Sequence, residues 1–438
     1  MKTYLLIFVA AWLVVALGCG EKKQKGDSAK KSAASMPTGS TVSTDIPALY
    51  ERQGELASAV EWPKTKEKVK ELRQKIAGNP RDVKPRLQIA VIYLSEARIT
   101  GEHPYYYPAV LKVLDDVLAI EPQNFEATTF KASVKMSQHQ FAEARDLAEQ
   151  ARKINPSNAY VYGVLVDANV ELGNYAEAVA MSDKMQELKP SLESYSRASY
   201  LREIHGNYPG AIAAMKLAVE AGLPGSEPQC WAKNTLGHLY ETTGQWKQAE
   251  IQYKEILAMR PSYAFALRGL AQVRKAAKQY DEALTDLDKA AKVMPEFSFH
   301  EEMADIFALQ GNKQKAAEKY REVVKMLDED ARSGHAVDLE LCKLYTKTNQ
   351  LDSAIAYGLK EYARRPNNID VNHALAVAYF KGQNNGKAKL HMKLALRTGS
   401  RDPELLQVAS AIAMATGDKA QGNRLLVQAR KTNPGFVL

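Results

Sequence analysis

The sequence predicts an all-α solenoid of stacked helical hairpins, and three observations carry that expectation. Prolines 122, 156 and 190 stand 34 residues apart, prolines 261 and 295 repeat the interval, and Pro366 to Pro434 spans it twice. A fixed period of this size marks supersecondary units that each bury a face on the next. Between prolines the apolar pattern is helical: in PSNAYVYGVLVDANVELGNYAEAVAMSDKMQELK, from Pro156, two striped segments flank the turn Gly173-Asn174. Segments of about 12 to 15 residues are too short to be stable alone and amphipathic enough to pack on a neighbour. Finally, alanines 144, 178, 211, 249, 283, 316, 354 and 388 recur in register with the prolines.

Taken in order, the chain opens with Lys2 and an uncharged apolar run from Tyr4 to Leu17. That is the pattern of a secretory signal. It is shorter than the roughly 20 apolar residues that span a bilayer, and Gly18 and Gly20 break it. The letters Ala16-Leu17-Gly18-Cys19 resemble the lipobox of bacterial lipoproteins, with Ala16 where leucine is commonest. The resemblance implies that residues 1–18 are a signal peptide and that Cys19 is the lipidated, palmitate-bearing N-terminus. It also implies, through Gly20 in place of Asp, an outer-membrane location. An ordinary signal-peptidase site, Ala-x-Gly, fits the same letters. Residues 19–45 are rich in Lys, Ser and Gly and hold almost nothing large and apolar, so ordering them brings no compensating burial. They form a flexible tether with a reach of roughly 25 to 30 Å. Its lysines either lean on anionic lipid or cell-wall polymer or simply keep the linker soluble.

The chain has 438 residues, too many for one hydrophobic core. Residues 46–79 are expected as a helical N-terminal cap and 80–438 as the array. Net charge is +8, with the tether's lysines supplying a disproportionate share, so a nucleic-acid footprint is not indicated. Cys230 and Cys342 belong to no CxxC or Cys-His spacing. They read as small buried residues, with a bond between them left open.

The register can be followed residue by residue. A small residue where the two helices of a hairpin cross falls on Ala132, Gly237, Ala271, Cys342 and Ala376; the alanines already named open each second helix; an aromatic wedge falls on Phe141, Tyr175, Trp246 and Tyr280. This set resembles the tetratricopeptide repeat, and the resemblance implies a right-handed superhelix of about ten helix-turn-helix units. The first, with Ala90 and Tyr93, carries the insertion TGEHPYYYP in its turn; the last is divergent and ends at Pro434. The alanine intervals run 34, 33, 38, 34, 33, 38, 34, so a 105-residue spacing links Ala144, Ala249 and Ala354. Either a three-repeat unit is used more than once, or two insertions, near GLPGSEPQC and DEDARSGHA, fell by chance at matching places.

No constellation for chemistry is present. There is no Walker or dinucleotide glycine loop and no GxSxG, and HEEMAD at His300 is not HExxH because residue 304 is Ala. The eight histidines are scattered, and Asp328-Glu329-Asp330 reads as a solvated turn. No enzyme activity, metal or cofactor is expected.

What the resemblance implies instead is a concave groove lined by the first helix of each hairpin. Its inward positions are Trp231, Asn234, His238 and Glu241 in the fifth repeat and Phe265, Arg268, Gln272 and Lys275 in the sixth, with Tyr160 extending the aromatic line. Such a surface suits an extended peptide or a C-terminal carboxylate. It loosely resembles the carboxylate clamp of chaperone-binding repeats but lacks that clamp's regular Lys and Asn placement. The bland alternative is a set of solvated groove residues. Tyr105, Tyr106 and Tyr107 either cap the array or meet a partner. The expected function is a non-catalytic adaptor in the bacterial envelope, tethered to the membrane by its lipid and binding envelope proteins but no nucleic acid. Repeat lipoproteins of this kind include pilus-assembly and outer-membrane assembly components. A second expectation is capture of a small molecule or glycan, with Trp231, Phe265 and Tyr160 as stacking platforms.

Overall fold

A computed structural model describes residues 43–59 and 61–435. The signal sequence, Cys19 and most of the tether lie outside the described residues. Within them the protein is all-helical, with no strand and no helix long and apolar enough to cross a membrane. A lead-in helix α1 (Trp62–Gly78) precedes ten hairpins. The first five are α2 (Val83–Thr100) with α3 (His103–Ile120), α4 (Phe125–Ser137) with α5 (Phe141–Ile154), α6 (Ala159–Leu172) with α7 (Tyr175–Leu188), α8 (Leu192–Ile204) with α9 (Tyr208–Ala221), and α10 (Glu227–Thr242) with α11 (Trp246–Met259). The second five are α12 (Ala264–Ala276) with α13 (Tyr280–Val293), α14 (Phe297–Leu309) with α15 (Lys313–Arg332), α16 (Asp338–Lys347) with α17 (Leu351–Arg364), α18 (Ile369–Lys381) with α19 (Asn385–Ala395), and α20 (Pro403–Ala415) with α21 (Lys419–Thr432).

Local chemistry sets each hairpin. The first helix starts two or three residues after the loop proline, and a side-chain oxygen there accepts a free backbone N–H, as Asn124, Asn158 and Asn368 do at 2.9 Å. The second helix starts after a left-handed residue, Gly173 or Gly206 for example. The aligned alanines open it because nothing larger fits: all eight are 0 to 5 % exposed. Gly237 is a similar case, since a Cβ there would stand 2.5 Å from the Tyr253 ring, which also fills the space left by Gly269.

Three segments differ from expectation. Residues 46–53 of the N-terminal cap form no helix, and side chains take up their carbonyls: Tyr93 and Arg73 donate to Pro47 O, and Tyr105 to Ala48 O. This strap is locked by a buried bidentate pair, Arg52 with Glu96, at 2.8 Å for both bonds. The TGEHPYYYP insertion adds helix, with Pro104 tolerated in the first turn of α3. Tyr106 is wholly buried there and donates to Tyr50 O, so these tyrosines cap the array. Asp328-Glu329-Asp330 lies inside α15, since nothing breaks the helix before Ser333-Gly334. The other insertion stays a loop, residues 222–226, so the two 105-residue counterparts are built differently.

The array turns back on itself, and its second five hairpins stack on the first five. Ala336 N donates to Gln138 O at 3.0 Å, and His139 Nδ1 lies 3.0 Å from Ala336 O, 197 residues away. One hairpin on, Asn368 donates to Glu171 O, Ile369 N donates to the Tyr175 hydroxyl, and Arg365 pairs with Glu171. Further along, Gly206 abuts Gly399 and Gly244 abuts Asn433. This seam is mostly polar. The hydrophobic clusters run along consecutive hairpins, and among the described residues only Ile369 joins a cluster across it.

Candidate functional site: the inner face

Tyr253 organises the fifth repeat's contribution. Wedged between Gly237 and Gly269, it donates to Glu241 Oε1 at 2.7 Å, and Glu241 Oε2 lies 3.3 Å from His238 Nδ1. Burial opposes charge on His238, but the hydrogen bond and field of Glu241 outweigh it and raise its pKa. In the sixth repeat Arg268 and Gln272, one turn apart on α12, both reach the carboxylate of Glu302 on α14. Burial pushes the Glu302 pKa up, and Arg268 counters it.

The expected site residues thus divide. His238 and Gln272 line a chamber of about 230 Å³. Trp231, 7 % exposed, sits in the core cluster of α9–α11, and Arg268, also 7 % exposed, is held by a buried ion pair. Asn234 Oδ1 is buried without a hydrogen-bond partner among the described residues. Phe265 packs edge-on against Tyr263 and Phe299 at 6.2 and 5.8 Å. Tyr160, at the start of α6, bonds the Ser133 hydroxyl at 2.9 Å, and burial pushes its pKa up to about 12. Lys275 is half-buried one turn beyond Gln272.

The chamber's far wall was not anticipated. Lys343 of α16, Asp370 and His373 of α18, Glu404 of α20 and Asn433 face His238, Glu241 and Gln272 across it. Curvature brings together residues 71 to 195 positions apart. Burial lowers the His373 pKa to about 4, so that imidazole is neutral at pH 7. Cys230 and Cys342 are buried free thiols. Among the described residues no group of three or more ligating side chains is arranged to hold a metal.

A tetratricopeptide-repeat family model matches residues 135–198, and a tetratricopeptide repeat-like domain model matches residues 231–351. No curated relative matches. Among solved structures the chain is similar to TTC0263, a tetratricopeptide protein of Thermus thermophilus, at 19 % identity over 45 % of this chain and 99 % of that one, TM-score 0.38. It is similar to PilW, a type IV pilus biogenesis factor, at 21 % identity over 45 % and 91 %, TM-score 0.39. A human IFIT1 dimer with PPP-AAAA shows 14 % identity over 86 % and 89 %, TM-score 0.48. The chain therefore contains tetratricopeptide repeats, units that generally serve protein-protein interaction and not catalysis.

Proposed function

We propose that the protein is a non-catalytic scaffold of the bacterial cell envelope, tethered through a lipid on Cys19, that holds a partner protein at the inner face of its superhelix. The observation that carries the reading is the chamber, where His238 and Gln272 of adjacent hairpins meet Lys343, Asp370 and Glu404 of the next turn. A recess lined by mixed donors and acceptors suits a segment of polypeptide with its own backbone groups. A part in pilus or outer-membrane assembly is compatible with it. The glycan reading has less support, because Trp231 packs into the core and Phe265 and Tyr160 are taken up by contacts within the protein.

The test places a photo-crosslinking residue at Gln272, or at Ile251 on the exposed side of α11, in the full-length protein in intact cells. The reading expects one protein adduct from position 272 and none from 251. Equal adducts from both, or none from 272, overturn it. Palmitate labelling that enters the wild-type chain and spares Cys19→Ala supports the tether; equal labelling removes it.

A further inference from the structure

The chain's charge collects at one end. From Lys381 to Leu438 ten lysines and arginines stand against three acids, whereas residues 1–380, tether included, hold 49 cations and 48 acids. Most of the net charge of +8 therefore lies in the last two hairpins and not in the tether. All ten of these cations are exposed.

Nothing in the fold neutralises them. On earlier second helices a cation pairs with a carboxylate three or four residues away, as Lys184 does with Glu187 on α7, Lys254 with Glu250 on α11 and Arg364 with Glu361 on α17. The helices α19 and α21 contain no aspartate or glutamate. Among the described residues the ion pairs stop at Arg365, and none of the ten cations beyond it has one. Lys389 and Lys393 stand one turn apart on α19, where like charges repel. Such spacing opposes folding and favours an anion from outside the chain.

Each cationic face also has an apolar centre. Leu390, 59 % exposed, has Lys387 three residues before it and Lys393 three after. Val427, 53 % exposed, has Arg424 and Arg430 in the same places. These side chains share the solvent face of their helices, because Ala388, Met392 and Ala395 of α19 and Gly422, Leu425 and Ala429 of α21 are buried on the other. A nucleic acid or an acidic peptide meets the charges but has no hydrocarbon layer behind its own. A bilayer with anionic headgroups meets both the cations and the two aliphatic side chains.

We infer that the outer face of the last two hairpins, on α19 and α21, docks on an anionic phospholipid bilayer, with its cations among the headgroups and Leu390 and Val427 at the acyl boundary. The surface is separate from the inner face, and it requires neither the chamber nor a lipid on Cys19.

The test uses the full-length chain with Cys19→Ala, so that no lipid is attached, and with an environment-sensitive fluorophore on Val427→Cys or, as a control, on Ile251→Cys, which is exposed on α11. The native Cys230 and Cys342 are buried. Each sample is titrated with vesicles of phosphatidylcholine alone or of phosphatidylcholine and phosphatidylglycerol in equal parts. The expected result is a brighter, blue-shifted signal at 427 with the anionic vesicles, reversed by salt, and no change at 251. Replacing Lys389, Lys393, Arg424 and Arg430 by glutamine should weaken binding at least about tenfold, since each contacting cation is worth about fivefold. Their exposure means that an unchanged melting curve is expected, so the loss would report binding. No response at 427, an equal response at 251, an equal response to neutral vesicles, or unchanged binding by the glutamine variant overturns the inference. So does a response to an oligonucleotide at a lower phosphate concentration than to the vesicles. The inner-face reading is tested at Gln272 and the lipid at Cys19, so neither result bears on this one.

Discussion

Gly173 and Asn367 meet back to back across the seam, so closely that a Cβ on the glycine would stand 2.4 Å from the asparagine's carbonyl carbon and oxygen. The contact joins the third hairpin to the loop ahead of the ninth. It makes the superhelix a stacked coil whose two turns bear on each other, and it gives a backbone turn of ordinary type a second duty.

Gly311 separates those duties. Its φ of +76° matches the +80° of Gly173, yet a Cβ there meets nothing within 4 Å. Gly311→Ala should cost only the left-handed backbone penalty, about 1 to 2 kcal/mol. Gly173→Ala should add overpacking at the seam, about 1 to 3 kcal/mol more. Denaturant unfolding of both variants reads the difference; equal losses would mean that the seam is not closed in solution.

Arg365 is a deeply buried charge at the seam. Its guanidinium lies 4.7 Å from the Phe141 ring centroid and pairs with Glu171 and Glu361, with side-chain exposures of 2 to 9 % across the three. Arg365→Met takes a cation from two buried carboxylates, leaving Glu361 with Arg364 and Glu171 with Asn368, and should lose up to about 3 to 5 kcal/mol. Adding Glu171→Gln and Glu361→Gln should restore most of it. If the triple variant is as unstable as the single one, packing and not charge is what Arg365 supplies.

The hairpins were legible in sequence because a repeat is a local unit. The spacing of Ala144, Ala178 and their counterparts is fixed by one helix-helix crossing, so reading the period amounts to reading the packing. The seam was not legible. It pairs residues 189 to 197 apart, and that offset depends on the rotation per repeat summed over several repeats, which no single position encodes. Nothing near Pro366 distinguishes Arg365 from Asn155, which precedes Pro156 on the free edge. The same limit applied to the inner face, where Lys343, Asp370 and Glu404 come from the other side of the coil. Arg268 was different, for its signal was available: Glu302 stands 34 residues on, one repeat away and at the same inward position, so a compensating charge could have been sought there.

His103 ties seam closure to pH. Its ring stacks on Tyr107 at 5.1 Å and lies 6.1 Å from His335 of the opposite turn. Burial pushes its pKa down to about 4 and that of His335 to about 3. The neighbouring Asp330 is pushed up to about 7 by burial and nearby carboxylates, which acts in the opposite direction. A histidine depressed in the folded state contributes stability that is full above its unfolded pKa near 6.5 and is lost as pH falls from there towards 4. His103→Gln keeps the Asp330 carboxyl in place and also relieves His335 of the field of His103, so the comparison reads the histidine pair. Between pH 6.5 and 4 the variant should gain on the wild type by up to about 1.4 kcal/mol per pH unit, read from denaturation midpoints. Parallel profiles would show that His103 is solvated.

The inner face holds two kinds of basic residue, and charge reversal should tell them apart. Arg268 and Glu302, with side-chain exposures of 9 and 6 %, neutralise each other, and Gln272 fills the second carboxylate oxygen. Arg268→Glu sets two buried carboxylates together and should lose about 3 to 5 kcal/mol. Exchanging the pair, Arg268→Glu with Glu302→Arg, should recover part of that. Lys275→Glu, one turn on and half-buried, should change stability by less than about 1 kcal/mol. A loss of partner capture by Arg268→Glu would therefore report damage to the fold, whereas the same loss in Lys275→Glu with an unchanged melting curve would report recognition. If Arg268→Glu melts like the wild type, the Arg268–Glu302 pair is not what neutralises this face.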